Sequence, residues 1–375
     1  MKTPMQLYWG AAALLLTGTA CSPQNGKDVD SGQAAGAMTD TTATAMSAPA
    51  APDQQMQAVL TELQALNPKP IPQLSAAEAR KQPTPADAVK ALLTKQGKST
   101  APEPVGSVAN RTIPGAGGPI AVRIYTPKGP GPFPVIVYYH GGGWVIADLN
   151  TYDASPRALA NLTKAVVVSS HYRQGPEHKF PAAHQDAFTA YRWVLANAKS
   201  LKGNPAKVAV AGESAGGGLA AAVSMMARDS GAQMPVHQLL VYPIAGYDLN
   251  TPSYQENAEA KPLNKAMMAW FFEKYLRSPD DGKNPLIDLV NANLKGLPPA
   301  TIVTAQIDPL RSEGKTLADR LEEAGVEVDY KNYEGSSHEF FGMGVVLDDA
   351  KAAQQQAAAG FAKGFGSTTS ESASR

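Results

Sequence analysis

The sequence predicts an α/β fold in which helices cover both faces of a doubly wound, mostly parallel sheet. Two observations predict it: short runs that are apolar on both faces recur along the chain, and helical stretches separate them. Such runs suit strands that helices cover on both sides, and their alternation with helices is typical of right-handed crossovers. The predicted buried strands are residues 135–139, 165–168, 208–211, 239–242, 301–304 and 327–331.

Two alternating segments and one long insertion complete the predicted catalytic domain, residues 105–365. Residues 108–113 and 120–125 alternate apolar and polar side chains, a pattern typical of antiparallel edge strands. Residues 250–293 interrupt the alternation of strand and helix and are rich in Met and aromatic side chains. We interpret this insertion as an ordinary core-facing helix, as a cap that lines an acyl pocket, or as both. The helices predicted in the domain are 155–164, 181–199, 214–229, 312–324 and 348–363.

Residues 53–104 are predicted as a helical cap segment that precedes the sheet. Met56, Val59 and Leu63 recur at helical spacing and predict one amphipathic helix. A second helix is predicted to start at Thr84, because the proline that follows it suits the first position of a helix.

Residues 1–21 are predicted as a signal peptide rather than as part of the fold. A short positive start precedes an apolar run over residues 7–16, which is too short to span a bilayer, where about 20 residues are needed. Cys21, the only cysteine, follows small residues as in a bacterial lipoprotein signal, although Gly18 stands where that pattern usually has leucine. The alternative is an ordinary secreted protein with an incidental cysteine. Both interpretations predict export to the periplasm or the cell surface, and the first predicts a lipid anchor at Cys21.

Two polar segments flank the predicted folded part. Residues 22–52 are rich in small and polar side chains and contain almost no large apolar groups. Such a segment cannot bury enough surface to offset the entropy lost on ordering. We therefore predict a disordered linker at 22–52 and a disordered tail at 366–375.

The composition of the 375 residues excludes several classes of function. The chain has 33 basic and 33 acidic side chains, and this balance argues against nucleic-acid binding, which needs a cationic surface. With one cysteine it has neither an intrachain disulfide nor a multi-cysteine metal site. The sequence contains no metal, nucleotide or flavin motif, and its Gly-rich segments lack the Lys-Ser/Thr of a phosphate loop. We therefore expect neither a cofactor nor a metal.

A strand, a tight turn and a helix start meet at Ser214. Gly212 and Gly216 flank this serine in the spacing G-x-S-x-G. The spacing by itself occurs often by chance, but here it follows a buried-strand pattern and opens a helix, which is the structural context of a nucleophile elbow. Ser214 is therefore the candidate nucleophile. Ala215 is predicted to begin the helix, with its amide directed at the reaction.

A second glycine-rich turn follows the predicted strand 135–139. His140 precedes three consecutive glycines, which let the backbone approach a substrate with its N–H groups directed inward. Such donors stabilise the negative oxygen that develops when an ester carbonyl is attacked. We predict that the amides of Gly142, Gly143 and Ala215 form an oxyanion hole; the alternative is a flexible glycine turn.

The base and the acid follow by elimination, because a doubly wound hydrolase runs serine, then acid, then histidine along the chain. Only His237 and His338 follow Ser214. His237 opens a strand, whereas His338 lies in a small-residue loop after the last predicted strand, so His338 is the candidate base. Asp308 follows a buried strand and is the candidate acid; the alternative is that it caps the next helix. These residues predict acyl transfer in two steps, with water releasing the acyl group.

Taken together, these motifs resemble those of the hormone-sensitive-lipase-like α/β hydrolases, which include bacterial family IV esterases. The resemblance covers about residues 55–365. It implies an eight-stranded α/β-hydrolase fold, a cap that includes the N-terminal helices, and hydrolysis of short- to medium-chain carboxylic esters. It also implies a homodimer paired through the last strand. The motifs that carry it are His-Gly-Gly-Gly-Trp at 140–144, Gly-Glu-Ser-Ala-Gly-Gly at 212–217, Asp-Pro-Leu-Arg at 308–311 and Gly-Ser-Ser-His-Glu-Phe at 335–340. The segment 172–183, which begins with Tyr-Arg and ends with Ala-Ala, belongs to the same set.

The chain departs from the family pattern at two places. Gln174 and Gly175 replace the usual Leu-Ala, which is expected to alter packing behind the glycine turn at 141–143, named here the oxyanion turn. Glu213 stands where Asp is more common. In the family, His140 and Glu177 support the turn structurally, so neither is predicted to be catalytic.

Two other functions stay open at this stage. An amidase or peptidase would use the same triad, and the triad residues alone do not exclude it. A hydrolase fold used as a non-catalytic binding module is disfavoured, because all three triad candidates are present. The expected partner is a small-molecule ester.

Overall fold

The computed structural model of the protein describes residues 51–366, in which eight strands form one sheet. The order in space is β1-β2-β4-β3-β5-β6-β7-β8. The pairs β1–β2 and β2–β4 are antiparallel, and the pairs from β4 across to β8 are parallel. The predicted fold class, an α/β fold with a mostly parallel eight-stranded sheet, is confirmed. In chain order the strands are β1 (Ser107–Ile113), β2 (Ile120–Thr126), β3 (Phe133–Tyr139), β4 (Val166–Ser170), β5 (Gly203–Glu213), β6 (Gln238–Val241), β7 (Ala300–Ile307) and β8 (Val328–Ser337).

Two strands differ from their predictions. The strand β2 lies between β1 and β4, so only β1 is an edge strand at this side of the sheet. The strand β8 continues to Ser337, where it pairs with Ile307 after a register shift in β7. Small residues at 335–337 had indicated a loop, but pairing with β7 extends the strand. His338 therefore follows the strand directly.

The helices cover both faces of the sheet, as the alternating pattern predicts. Apolar side chains of α5, α6 and α9 belong to one buried cluster, which also holds the aromatic residues of α8. Apolar side chains of α1, α3, α4 and α10 belong to a second. The helices are α1 (Gln54–Ala65), α2 (Ala76–Ala79), α3 (Pro85–Lys95), α4 (Ala154–Thr163), α5 (Ala182–Asn197), α6 (Ala215–Asp229), α7 (Pro252–Glu256), α8 (Lys265–Tyr275), α9 (Arg311–Glu323) and α10 (Asp348–Gly364).

Local sequence signals explain where the first helices begin. The side chain of Asp53 accepts a hydrogen bond from the amide of Met56 at the start of α1. At α3, Thr84 and Asp87 form a reciprocal capping box, with proline at the first helical position. The short helix α2 and the 3₁₀ turn Ile71–Gln73 carry no periodic apolar pattern long enough to predict them.

Part of the predicted organisation lies outside residues 51–366: the signal peptide with Cys21, nearly all of the linker, and the tail after residue 366. Within the described range, none of the helices combines the length and the apolar character needed to cross a bilayer.

Candidate active site

Ser214 lies in a strained turn between β5 and α6. Its φ of 56° and ψ of −121° place a non-glycine residue in a rarely populated conformation. The turn is tight: a Cβ on Gly212 would lie 2.0 Å from the carbonyl oxygen of Gly216, and a Cβ on Gly216 would lie 2.0 Å from that of Tyr139. Both flanking glycines are therefore required by close backbone contacts. The amide of Ser214 donates to the carbonyl of Val241 at 2.9 Å, which ties the turn to β6.

The carboxyl ends of β5, β7 and β8 bring Ser214, Asp308 and His338 together. Oγ of Ser214 lies 3.0 Å from Nε2 of His338, and Oδ2 of Asp308 lies 2.6 Å from Nδ1 of the same ring. The three residues are almost entirely buried: Ser214 is 4% exposed, Asp308 0% and His338 2%. This linear arrangement of hydroxyl, imidazole and carboxylate suits proton removal from a serine nucleophile.

Asp308 does not cap the helix that follows it. The helix α9 begins at Arg311, its N-cap residue is Leu310, and no side chain caps it. One carboxylate oxygen of Asp308 accepts the amide of Leu310 at 2.8 Å, and the other accepts His338. The amide of the Asn257 side chain donates to the carbonyl of Asp308 at 3.3 Å, so the cap insertion also holds this loop. The carboxylate is thus fixed on both oxygens.

The surroundings of His338 favour its protonated form. Burial alone lowers the pKa of the imidazole, but the charge of Asp308 and the hydrogen bond to it act in the opposite direction. The charges of Glu339 and Glu213 add to that effect, and the pKa of His338 lies above its ordinary value. An imidazole in such surroundings readily accepts a proton from a neighbouring hydroxyl.

The turn after β3 leaves backbone donors unused. Gly142 and Gly143 have φ values of 94° and 58°, and the amides of Val145 and Ile146 both donate to the carbonyl of Gly142. Among residues 51–366, the amides of Gly142, Gly143 and Ala215 donate to no acceptor. Ala215 begins α6, where first-turn amides lack a partner within the helix. The three predicted oxyanion donors therefore have no hydrogen-bond partner in the described part of the chain.

The first departure from the family pattern, Gln174-Gly175, has a packing role behind this turn. Nε2 of Gln174 donates to the carbonyls of Ile146 and Ala147, at 2.8 and 3.0 Å. A Cβ on Gly175 would lie 2.7 Å from the carbonyl oxygen of Lys274, so glycine allows the end of α8 to approach. These contacts join the oxyanion turn to the cap insertion.

His140 and Glu177 have structural surroundings. The ring of His140 is fully buried and hydrogen bonded to the carbonyl of Gly141 and to the ring of His171. Burial, with the nearby ring of His171, lowers the pKa of His140 to about 3, so the ring is neutral. The carboxylate of Glu177 pairs with both terminal nitrogens of Arg80, whose Nε donates to the carbonyl of Val145. The pair fastens the N-terminal segment to the loop behind the oxyanion turn.

The insertion contributes an aromatic layer over the site. A Cβ on Gly143 would lie 2.2 Å from the ring of Phe271 in α8, so that ring packs directly on the oxyanion turn. The rings of Trp144 and Tyr275 stack with centroids 4.8 Å apart, and Nε1 of Trp270 donates to the carbonyl of Leu74. The insertion therefore packs into the core and also lies against the candidate site. That it lines an acyl pocket stays a prediction.

The sequence reasoning missed two acidic residues beside the triad. Glu213 accepts hydrogen bonds from the hydroxyls of Tyr138 and Tyr242, and burial raises its pKa to about 7. Glu339 accepts the hydroxyl of Tyr152. The sequence offered one indication of them, because Glu213 directly precedes Ser214 and Glu339 directly follows His338. Within residues 51–366, no group of three or more His, Cys, Asp or Glu side chains is arranged to hold a metal ion.

Comparisons with known proteins agree with this geometry. Residues 136–342 match a family described as having an alpha/beta hydrolase fold. The carboxylesterase NlhH of Mycobacterium tuberculosis is 42% identical over 236 residues, which cover 62% of this chain and 74% of that protein. An ethyl acetate hydrolase of Pseudomonas putida is 31% identical over 286 residues, covering 75% of this chain and 88% of that protein. The hyperthermophilic esterase from the archaeon Pyrobaculum calidifontis has a solved structure that matches with a TM-score of 0.76 at 38% identity, covering 84% of this chain and 99% of that chain.

The family match covers more than half of the chain. The two relatives, each matched over most of its own length, carry the names of ester-hydrolysing enzymes. The protein therefore belongs to the hormone-sensitive-lipase-like α/β hydrolases and is a carboxylic ester hydrolase.

Proposed function

We propose that the protein is a serine carboxylesterase that hydrolyses short- to medium-chain carboxylic esters through an acyl-enzyme intermediate. Nε2 of His338 takes the proton of Ser214 as Oγ attacks the ester carbonyl, and Asp308 orients the imidazole and supports its positive charge. The proton then passes to the leaving alcohol oxygen as the ester C–O bond breaks. A water molecule, deprotonated by the same ring, releases the acid and regenerates Ser214.

The observation that carries this proposal is the continuous hydrogen-bond chain from Ser214 through His338 to Asp308. The 3.0 Å between Oγ of Ser214 and Nε2 of His338 suits direct proton transfer. The 2.6 Å between Nδ1 of His338 and Oδ2 of Asp308 is a hydrogen bond that orients the ring. The unused amides of Gly142, Gly143 and Ala215 support the roles assigned to an oxyanion hole.

Two observations support a preference for short acyl chains. The ring of Phe271 packs against Gly143, which limits the room beside the reacting carbonyl. Ser214 is 4% exposed, so the substrate must fit a closed site. The ethyl acetate hydrolase among the relatives is named for a short ester, which agrees with this expectation.

A panel of p-nitrophenyl esters from acetate to palmitate, measured on the wild type and Ser214→Ala, tests the proposal. We expect kcat/KM to peak at short or medium chains and activity to fall to the background in the variant. Ser224→Ala is the matched control, because Ser224 is a buried serine of the same helix whose hydroxyl bonds only the carbonyl of Ala220. Undiminished turnover in Ser214→Ala would refute the nucleophile. Activity confined to anilides would favour the amidase alternative.

We further propose that the mature protein is exported and anchored through a lipid on Cys21. The support is the signal-like pattern of residues 1–21 with its sole cysteine at the predicted cleavage point. Mass spectrometry of the mature N-terminus, on the wild type and Cys21→Ala, tests it. An N-terminal peptide that begins at an unmodified residue would contradict the anchor.

A further inference from the structure

We propose that Glu339 is a positioning residue for proton transfer, acting on His338 through its negative charge. The inference rests on the proposed serine mechanism and assigns to it a second carboxylate besides Asp308. The contacts of the Glu339 side chain support this role.

The backbone of Glu339 directs its carboxylate toward the catalytic side of the imidazole. The residue has a φ of 72°, in the left-handed region that a glutamate rarely adopts. In this conformation Oε1 lies 3.9 Å from Nε2 of His338, the nitrogen that faces Ser214. The side chain of Glu339 is 21% exposed, so solvent weakens its charge only in part. Asp308 and Glu339 therefore flank opposite nitrogens of one ring.

The separation of 3.9 Å decides what Glu339 can do. It exceeds hydrogen-bond length, so the carboxylate does not compete with Ser214 for Nε2 in the resting site. When Nε2 receives the proton, the new positive charge lies next to Glu339 and is stabilised by it. The proton remains free to move to the leaving alcohol oxygen, because no carboxylate binds it directly. Glu339 thus favours formation of the imidazolium without trapping its proton.

Tyr152 connects this carboxylate with the oxyanion turn. Its hydroxyl donates to Oε1 of Glu339. The same hydroxyl packs against Gly141, where an added Cβ would lie 2.2 Å from it. The phenol is 6% exposed and keeps its proton at neutral pH, because burial raises its pKa well above the ordinary value, as do the charges of Glu339 and Glu213. Tyr152 therefore holds the Glu339 carboxylate in place against a rigid turn.

Other ionisable groups also face this pair and set its titration. Burial raises the pKa of Glu339, and the charge of Asp308 adds to the rise, whereas the charge of His338 and the hydroxyl of Tyr152 lower it. At neutral pH the loss of the Glu339 charge would lower the pKa of His338, since that charge contributes to its rise. The charge of Glu339 also raises the pKa values of four buried phenols, Tyr138, Tyr152, Tyr172 and Tyr242. The charges of Asp308 and Glu213 act on His338 as well.

The test is the pH profile of Glu339→Gln. The amide oxygen of glutamine can still accept the Tyr152 hydroxyl, so the substitution removes the charge and keeps the shape. We expect kcat to fall about tenfold with KM nearly unchanged, because the charge acts on the transition state. The acid limb of kcat/KM should move to lower pH by about half a unit, since a neutral base persists to lower pH. Glu339→Asp keeps the charge and should restore the limb toward that of the wild type.

Controls separate the possible failures. Glu334→Gln removes an exposed charge from β8, the strand that precedes His338 and Glu339, and should leave both kcat and the acid limb unchanged. If Glu339→Gln matches the wild type in kcat and in its acid limb, while Ser214→Ala is inactive, the inference fails and the serine mechanism stands. If wild-type turnover does not depend on Ser214, the mechanism itself fails. A fall in kcat without a shift of the acid limb, in a variant with unchanged thermal unfolding, would also overturn the charge role.

Discussion

Two buried histidines lie at opposite edges of the sheet and show how burial and charge act separately. His338 follows β8 at the carboxyl edge, and His237 precedes β6 at the amino edge; they are 2% and 3% exposed. Burial and the charge of Lys363 lower the pKa of His237 to about 4, whereas the buried carboxylate of Asp308 outweighs burial and raises that of His338. Burial alone makes an imidazole neutral and inert. A carboxylate buried beside it makes it a base.

Left-handed residues occur at both edges of the sheet, and at the amino edge they end helical segments at Lys164 and Lys202. At the carboxyl edge, positive φ values are found at Ser214, Glu339, Gly142 and Gly143. At the amino edge Nε2 of His237 lies 3.0 Å from the hydroxyl oxygen of Thr301, and its Nδ1 has no partner among the described residues. Strained conformations persist only where surrounding contacts enforce them, and they concentrate at functional sites. At the carboxyl edge the strained residues adjoin the hydrogen-bond chain of Ser214, His338 and Asp308, and this chain is why the proposed chemistry lies there.

The largest expected effect comes from removing the charge of Asp308. Asp308→Asn leaves the side chain the same size but takes away the acceptor that orients His338 and raises its pKa. We expect kcat to fall about 10³–10⁴-fold, measured with a short p-nitrophenyl ester. His237→Gln, at the opposite edge, should leave kcat unchanged. A comparable loss of kcat in both variants would remove the distinction between the two edges.

A smaller effect is expected from a methyl group in the oxyanion turn. Gly143→Ala places a Cβ 2.2 Å from the ring of Phe271 at a φ of 58°. We expect kcat/KM to fall about 10²-fold, as when an oxyanion donor is lost. Gly231→Ala is the matched control, because Gly231 has a φ of 66° but no neighbouring atom within 4 Å of the added Cβ. It should cost about 1–2 kcal/mol of stability through backbone strain alone and leave kcat/KM intact. Equal activity losses in the two variants would argue against an oxyanion role for Gly143.

The amino edge should be detectable in stability rather than in activity. The pKa of His237 is lower in the folded state than its ordinary value of 6.5. As the pH falls, this imidazole is therefore protonated in the unfolded chain before it is protonated in the folded one. The free energy of unfolding should therefore fall as the pH decreases from about 6.5 to 4, by up to about 3 kcal/mol for this group. Denaturant unfolding of the wild type and of His237→Gln across this pH range measures how much His237 contributes to the pH dependence of the free energy of unfolding. His140 and His184, whose pKa values are also lowered by burial, keep part of the slope in the variant. An identical slope in both proteins would exclude the contribution of His237.

Much of the fold could be predicted because its elements are locally encoded. Runs such as 135–139 and 208–211 are apolar on both faces, and only a covered parallel sheet accommodates them. The capping box at Thr84 likewise specifies the start of α3. The position of β2 inside the sheet could not be predicted, because alternation indicates a half-buried strand and does not name its neighbours. The extension of β8 to Ser337 depends on pairing with β7, which no local pattern encodes.

The sequence by itself determined the fold class, the order of strands and helices, and the candidate residues Ser214, Asp308 and His338. It could do so because a strained turn demands glycines at fixed spacing and because catalytic groups in such sheets follow strand ends. Only the tertiary structure decided that Phe271 packs on Gly143 and that Glu339 lies 3.9 Å from Nε2 of His338. Those contacts join segments distant in sequence or depend on a single left-handed residue. Their strength depends on burial and on neighbouring charge, which the chain acquires only when it folds.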